Sequence, residues 1–165
     1  MTRAFLGLGS NLGGRLAYLR TAVTALGRGP GLKVTARSKV YETVPVEVEE
    51  EQPDYLNCVV ELECDLPAVE LLRYCQGIEA ALGREQKGEK APRTVDIDVL
   101  LFGEETIAAS DLTVPHRGAT RSFNLKALAD LHVDLYIPGR GTVRELLAQV
   151  QGGGIRMYRE ASELC

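Results

Sequence analysis

Thr94-Val95-Asp96-Ile97-Asp98-Val99-Leu100-Leu101-Phe102 is the stretch on which the fold turns. Period-two alternation makes it a strand, with Val95, Ile97, Val99 and Leu101 on one face and Asp96, Asp98 and Leu100 on the other. Reading toward the N-terminus, residues 83–92 are polar and cation-bearing, a loop. Val69, Leu72, Cys75, Ile78 and Leu82 recur at helical spacing before it. Residues 55–63 alternate again, Leu56, Cys58, Val60 and Leu62 against Asn57, Val59 and Glu61. Residues 43–53 carry Glu47, Glu49, Glu50 and Glu51 and read as a solvated loop. Val34, Ala36, Ser38 and Val40 alternate with Thr35, Arg37, Lys39 and Tyr41, a further strand. Leu16, Leu19, Val23 and Leu26 mark a helix closed by Gly27, Gly29 and Pro30. Residues 4–8 form a short buried strand. Strand, helix, strand, strand, helix, strand is the ferredoxin-like βαββαβ order, an α+β fold with an antiparallel sheet and helices packed on its faces. Beyond the quoted strand, Leu125, Leu128 and Leu131, then Val143, Leu146 and Leu147, mark two short helices as extra C-terminal elements. Residues 1–150 read as one domain, and residues 151–165, opening on three glycines, as a loosely attached tail.

Composition narrows the function classes. The chain has 165 residues, 45% of them hydrophobic, and a formal net charge of −4. That length fits one core. The acidic balance argues against a nucleic-acid partner, which needs a basic face to neutralise phosphates. No apolar run is long enough for a membrane span, and the first residues carry no secretory leader. Cys58, Cys64, Cys75 and Cys165 contain no CxxC pair, so a zinc site is unsupported and a reducing, cytoplasmic compartment is expected. A monomer is the expected oligomeric state.

The Gly7-Leu8-Gly9-Ser10-Asn11-Leu12-Gly13-Gly14 segment matches neither GxGxxG nor GxxxxGK[ST]. It reads as a tight strand-to-helix turn in which Asn11 helps cap the helix. The chemistry points elsewhere. Asp96 and Asp98 stand two residues apart on one strand face, about 6–7 Å at the backbone. Two like charges so placed repel, and a bridging cation resolves that. Mg²⁺ takes oxygen ligands and typically joins one or two carboxylates to substrate phosphates. Arg84, Lys87, Lys90 and Arg93 precede the pair, and His116, Arg117 and Arg121 follow it. Arginine forks and lysine ammoniums suit phosphate oxygens, so the set fits a polyphosphate and its transfer. Tyr55 and Phe123 are two of nine aromatic residues. Core packing is their ordinary role, and sandwiching a flat ring is the functional alternative. Asn57, beside Tyr55, offers donors and an acceptor for the edge of a heterocycle.

Taken together, the chain resembles the 6-hydroxymethyl-7,8-dihydropterin pyrophosphokinase family of folate biosynthesis. The resemblance runs from about Phe5 to Pro138. It rests on Leu8-Gly9-Ser10-Asn11-Leu12-Gly13, Tyr41-Glu42-Thr43, Gln52-Pro53-Asp54-Tyr55-Leu56-Asn57, Pro92-Arg93-Thr94-Val95-Asp96-Ile97-Asp98 and Thr113-Val114-Pro115-His116. It implies transfer of pyrophosphate from ATP to the pterin hydroxymethyl group with release of AMP. It implies that residues 1–150 are the pyrophosphokinase domain, and that Asp96 and Asp98 hold two Mg²⁺ ions. Arg84 and Arg93 are then catalytic loop arginines, alongside Asp96 and Asp98. Gln76, Glu79, Thr113, His116 and Arg121 join those arginines in binding ATP. Tyr55 and Phe123 sandwich the pterin, while Thr43, Val46 and Asn57 read its edge. Two departures stand out: Lys90-Ala91 replaces the Trp-Gly common before Pro-Arg, and the segments 84–92 and 116–123 are each one residue short. A non-catalytic ferredoxin-like module and a DxD nucleotidyltransferase or nuclease are the competing classes.

Overall fold

The computed structural model describes residues 1–44, 54–83, 94–150 and 154–164. Its centre is a six-stranded sheet. Strands β1 (Thr2–Ser10), β2 (Leu32–Arg37), β3 (Val40–Thr43), β4 (Tyr55–Cys64) and β5 (Asp96–Phe102) are joined by β10 (Ile155–Arg159). Helices α1 (Arg15–Gly27) and α2 (Ala68–Ala81) pack on one face, and α3 (Ser122–Leu131) and α4 (Val143–Gln149) on the other. Two small hairpins, β6 (Ile107–Ala108) with β7 (Thr113–Val114) and β8 (Tyr136–Ile137) with β9 (Gly141–Thr142), flank them.

The sheet runs β10-β3-β4-β1-β5, with β2 also on β4, and every pairing is antiparallel. This is the expected ferredoxin-like order with one strand added at an edge. β1 is central, and both its faces are covered, so residues 4–10 are all buried. Leu6 and Leu8 point to the α1/α2 layer with Leu19, Leu26, Leu71 and Cys75, whereas Phe5 joins Val59, Leu125 and Leu128 beneath α3. Among the described residues no helix is long and apolar enough to cross a membrane. Burial pushes the Cys58 thiol up to about 12, so it packs as a small hydrophobe.

Four local expectations are corrected. The strand expected over 34–41 is two strands, because Ser38 turns inward: its Oγ accepts from Val59 N–H at 2.8 Å, and its own N–H donates to the Val59 carbonyl. The quoted strand does not alternate to its end. Phe5 pairs with Leu101 but Leu6 with Val99, which leaves Leu100 as a bulged extra residue. Leu100 and Leu101 therefore both enter the α3-side core, and Phe102 takes the opposite face. Asn11 does not cap α1, whose N-cap is Gly14 with no side-chain hydrogen bond. Finally, the stretch from 154 onward is not a loose tail. β10 pairs with β3, and Leu164, in the 3-10 turn Ala161–Leu164, is buried in the α1/α2-side core.

At the end of β4 away from Tyr55, Glu61 is buried and bonded by the Thr35 hydroxyl at 2.6 Å and by His132 Nε2 at 2.5 Å. Burial works to raise this carboxyl, but the Thr35 and His132 contacts, helped by the Arg3 charge, outweigh it and hold it below the ordinary 4.5. A carboxyl depressed on folding stabilises fully above its unfolded value, and that stability is lost as pH falls through the folded value. The urea midpoint is therefore expected to drop between pH 6 and pH 3, and Glu61→Gln to flatten that slope. An equal slope in both proteins would contradict the assignment.

Candidate active site

The site forms because β1 carries glycine where its neighbours carry chemistry. On the α3-side face, Gly9 pairs with Asn57 of β4 and Asp96 of β5, and Gly7 with Val59 and Asp98. With no side chains of their own, Gly7 and Gly9 make a shallow floor between two walls. A Cβ on Gly9 would lie 2.9 Å from Asn57 Oδ1, and one on Gly7 3.3 Å from Leu100 and 3.4 Å from Asn124 Oδ1. These glycines are strand residues and not part of the turn read from the sequence. The turn lies beyond them, where Gly13 adopts φ +67, the left-handed region that glycine enters without strain.

On the β4 wall, Asn57 Nδ2 donates to Thr43 Oγ1 at 2.7 Å, with Thr43 directly opposite Tyr55. Tyr55 and Asn57 are half-buried, and Thr43 is buried. Phe123 is half-buried in the first turn of α3, next to Asn124 above Gly7. Asn124 is itself fixed by donating from Nδ2 to the Gly118 carbonyl at 2.7 Å.

On the β5 wall, Asp96 and Asp98 are half-buried. The bulged Leu100 supplies a carbonyl that accepts from His116 N–H at 3.0 Å. His116 Nδ1 accepts from Gly118 N–H at 2.9 Å, so a neutral ring carries its proton on Nε2, which lies 3.5 Å from Asp98 Oδ1. From the opposite face of the sheet, Glu79 Oε2 accepts from Ile97 N–H at 2.8 Å. Glu79 is only 2% exposed, so its carboxylate serves the interior, immediately behind the aspartate pair.

The structure thus joins Thr43 to Asn57, and His116 to Asp98. Gln76 is half-buried and accepts from Arg73 at 3.1 Å, while Thr113, on β7, and Arg121, the α3 N-cap, are exposed. Arg84, Arg93 and Val46, with Lys87 and Lys90, lie outside the described residues. Reasoning from sequence missed Gly7, Gly9, Gly118 and Asn124. The alternation of glycine with leucine over 6–9 was the available signal for the floor, and nothing local marked Asn124.

Among the described residues no cluster of three or more His, Cys, Asp or Glu could hold a metal by itself. The donor set is instead two aspartates on one face, which suits Mg²⁺ because that ion keeps open positions for phosphate oxygens and water.

An antiparallel α+β sheet with a carboxylate pair facing a polar, aromatic wall across a glycine floor has the form of a small-molecule site. Residues 5–133 match the family described as 7,8-dihydro-6-hydroxymethylpterin-pyrophosphokinase (HPPK), and the chain belongs to that family. A Methylorubrum extorquens protein named 2-amino-4-hydroxy-6-hydroxymethyldihydropteridine pyrophosphokinase is 44% identical over 156 residues, covering 94% of this chain and 98% of its own. A Bacillus subtilis protein of the same name is 44% identical over 129 residues, 78% of this chain and 77% of its own. A solved HPPK-DHPS structure in complex with substrates superposes with a TM-score of 0.71 at 15% identity, over 89% of this chain and 43% of the other. The chain spans less than half of that longer protein, and the likeness is one of fold.

Proposed function

We propose that this protein transfers the terminal pyrophosphate of ATP to the hydroxymethyl group of 6-hydroxymethyl-7,8-dihydropterin, releasing AMP, as a step of folate synthesis. The observation that carries the reading is the facing of Tyr55 and Asn57 on β4, backed by Thr43 on β3, with Asp96 and Asp98 on β5 across the glycines of β1. Strands lie about 4.8 Å apart, so β4 and β5 are separated by roughly 10 Å. In register Asn57 stands across Gly9 from Asp96, with Asp98 one pair further along, so a bicyclic ring held over β4 would extend over β1 toward the aspartate pair.

The chemistry of the β4 wall fits a pterin. Thr43 Oγ1 accepts from Asn57, which frees the hydroxyl proton for donation, and leaves Asn57 Oδ1 as an acceptor. One donor beside one acceptor complements an aminopyrimidinone edge. Tyr55 and Phe123 supply flat apolar faces for the ring, and Val46 a backbone contact. Asp96 and Asp98 would hold Mg²⁺, with two ions proposed. When bound, Mg²⁺ neutralises phosphate charge and orients the β-phosphoryl group. Asp98 accepts a hydrogen bond from the pterin hydroxyl, whose oxygen attacks Pβ in line. The bond from Pβ to the oxygen it shares with Pα breaks, AMP departs with that oxygen, and the hydroxyl proton passes to water. His116, Thr113, Gln76 and Arg121 contact ATP, Arg84 and Arg93 stabilise the transferring charge, and Glu79 acts from behind by holding Ile97.

Product analysis tests this directly. With ATP, Mg²⁺ and the dihydropterin, AMP is expected to form only when the pterin is present. The 6-methyl analogue, which lacks the hydroxyl, is expected to compete with the pterin without releasing AMP. Pyrophosphate release would instead indicate a nucleotidyltransferase, and no nucleotide change a non-catalytic module.

A further inference from the structure

The C-terminal strand lies beyond residue 133, where the family match ends. It brings an ionic cluster to the back of the pterin wall. Glu42 of β3 is buried, with its side chain on the α1/α2 side, next to Thr43 in sequence. Arg15, at the start of α1, donates from Nη1 to Glu42 Oε2 at 2.8 Å and also to the Asp54 carbonyl at 2.8 Å. Arg156 of β10 donates to Glu42 Oε1 from Nε at 2.7 Å and from Nη2. Arg15 further stacks over the Tyr158 ring at 5.5 Å. In register, Arg156 lies opposite Glu42 and Ile155 opposite Thr43, and Val44 N–H donates to the Gly154 carbonyl.

We infer that Arg15, Glu42 and Arg156 form a clasp that positions the pterin-reading ends of β3 and β4, so that the C-terminal strand sets affinity for the heterocycle. The inference rests on the pyrophosphokinase reading of the site. β3 has four residues, too few to keep its end in place unaided. Arg15 ties that end, through Glu42, to Asp54, the residue just before Tyr55. Arg156 holds Glu42 from the other side and joins β10 to the same point. A buried carboxylate shared by two guanidiniums leaves no uncompensated charge, whereas removal of one partner weakens the whole cluster. Without the clasp, the conformer with Thr43 and Asn57 in register is less populated, and the apparent affinity for pterin falls by that fraction. The aspartates proposed to hold the cation sit on β5, three strands from β3, and do not depend on it.

Arg156→Ala is therefore expected to raise the KM for the dihydropterin roughly three- to tenfold, the scale of a lost positioning hydrogen bond. The KM for ATP and kcat are expected to stay within about twofold. Glu42→Gln is expected to do at least as much, and Arg156→Ala to add nothing in the Glu42→Gln background. Arg156→Lys keeps the charge but loses the planar fork, so a smaller rise in the same direction is expected, and this variant decides the matter should Arg156→Ala not fold. An unchanged pterin KM in the folded variants would overturn the inference. So would parallel changes in both KM values and kcat, since general loosening of the fold moves all three. Failure of the pyrophosphokinase reading shows separately, as absent pterin-dependent turnover in the unaltered protein.

Discussion

Asp98→Ala is expected to lower pterin-dependent AMP formation by at least about three orders of magnitude while the thermal midpoint stays essentially unchanged. The two halves of this result have separate causes. Asp98 is half-buried on the open face of β5, across from Gly7, with His116 Nε2 at 3.5 Å. Losing it removes little packing and relieves repulsion with Asp96 two residues away. On the proposed mechanism the catalytic loss is large because the carboxylate would both hold the charge-neutralising ion and accept from the attacking hydroxyl. Several kcal/mol of charge stabilisation, at 1.36 kcal/mol per tenfold, amounts to a thousandfold or more. Rate measured against thermal unfolding checks both halves. Near-native turnover in Asp98→Ala would remove this residue from the reaction.

Gly9→Ala carries the second large effect, on the other substrate. The added methyl meets Asn57 Oδ1 at 2.9 Å and Tyr55 Cδ1 at 3.6 Å. Asn57 cannot retreat freely, because its Nδ2 is bonded to Thr43 at 2.7 Å. The methyl also rises into the floor over which the ring must lie. A displacement of a few tenths of an ångström in the edge-reading pair, with a raised floor, is expected to raise the pterin KM roughly ten- to hundredfold. The KM for ATP is expected to stay close to native, because the proposed nucleotide contacts lie on α2, β5, β7 and the start of α3 and not on β3 or β4. Separate titration of the two substrates is the check, and equal losses for both would contradict a floor that belongs to the pterin alone.

Much of the architecture was legible because burial imposes periodicity. The alternation through Val95, Ile97 and Val99, and the helical spacing of Leu19, Val23 and Leu26, each record one buried face. The same signal fails where geometry departs from the period without a change of residue type. At Leu100-Leu101 both side chains are leucine, so nothing in the pattern betrays the bulge that swings Leu101 to the opposite face and leaves the Leu100 carbonyl to hold His116. At Ser38 the polar residue sits at an apolar position of the alternation and turns inward to bond β4, dividing one expected strand into two. The three glycines at 152–154 suggested a detached tail, yet Arg156 and the edge of β3 recover the next residues into the sheet.

The candidate site was legible by residue type and only partly by role. Asp96 and Asp98 share a face as their spacing requires, and Asn57 meets Thr43 although 14 residues separate them. Glu79 illustrates the limit. The family resemblance implied a place near ATP, and the structure adds a bond that the sequence does not show: Oε2 accepts from Ile97 N–H, a partner 18 residues away on the edge strand of the sheet. Gly9 was placed in the turn beyond a strand ending at residue 8, because a glycine inside a strand and one beside it look alike until the register is known.

The position of attack is read most directly by following ATP labelled at the β-phosphorus through one turnover with the dihydropterin. Attack at Pβ places the label in the pterin product, together with the γ-phosphate, and leaves unlabelled AMP. Label retained in ADP would mean transfer of the γ-phosphoryl group alone, and would contradict the pyrophosphokinase assignment.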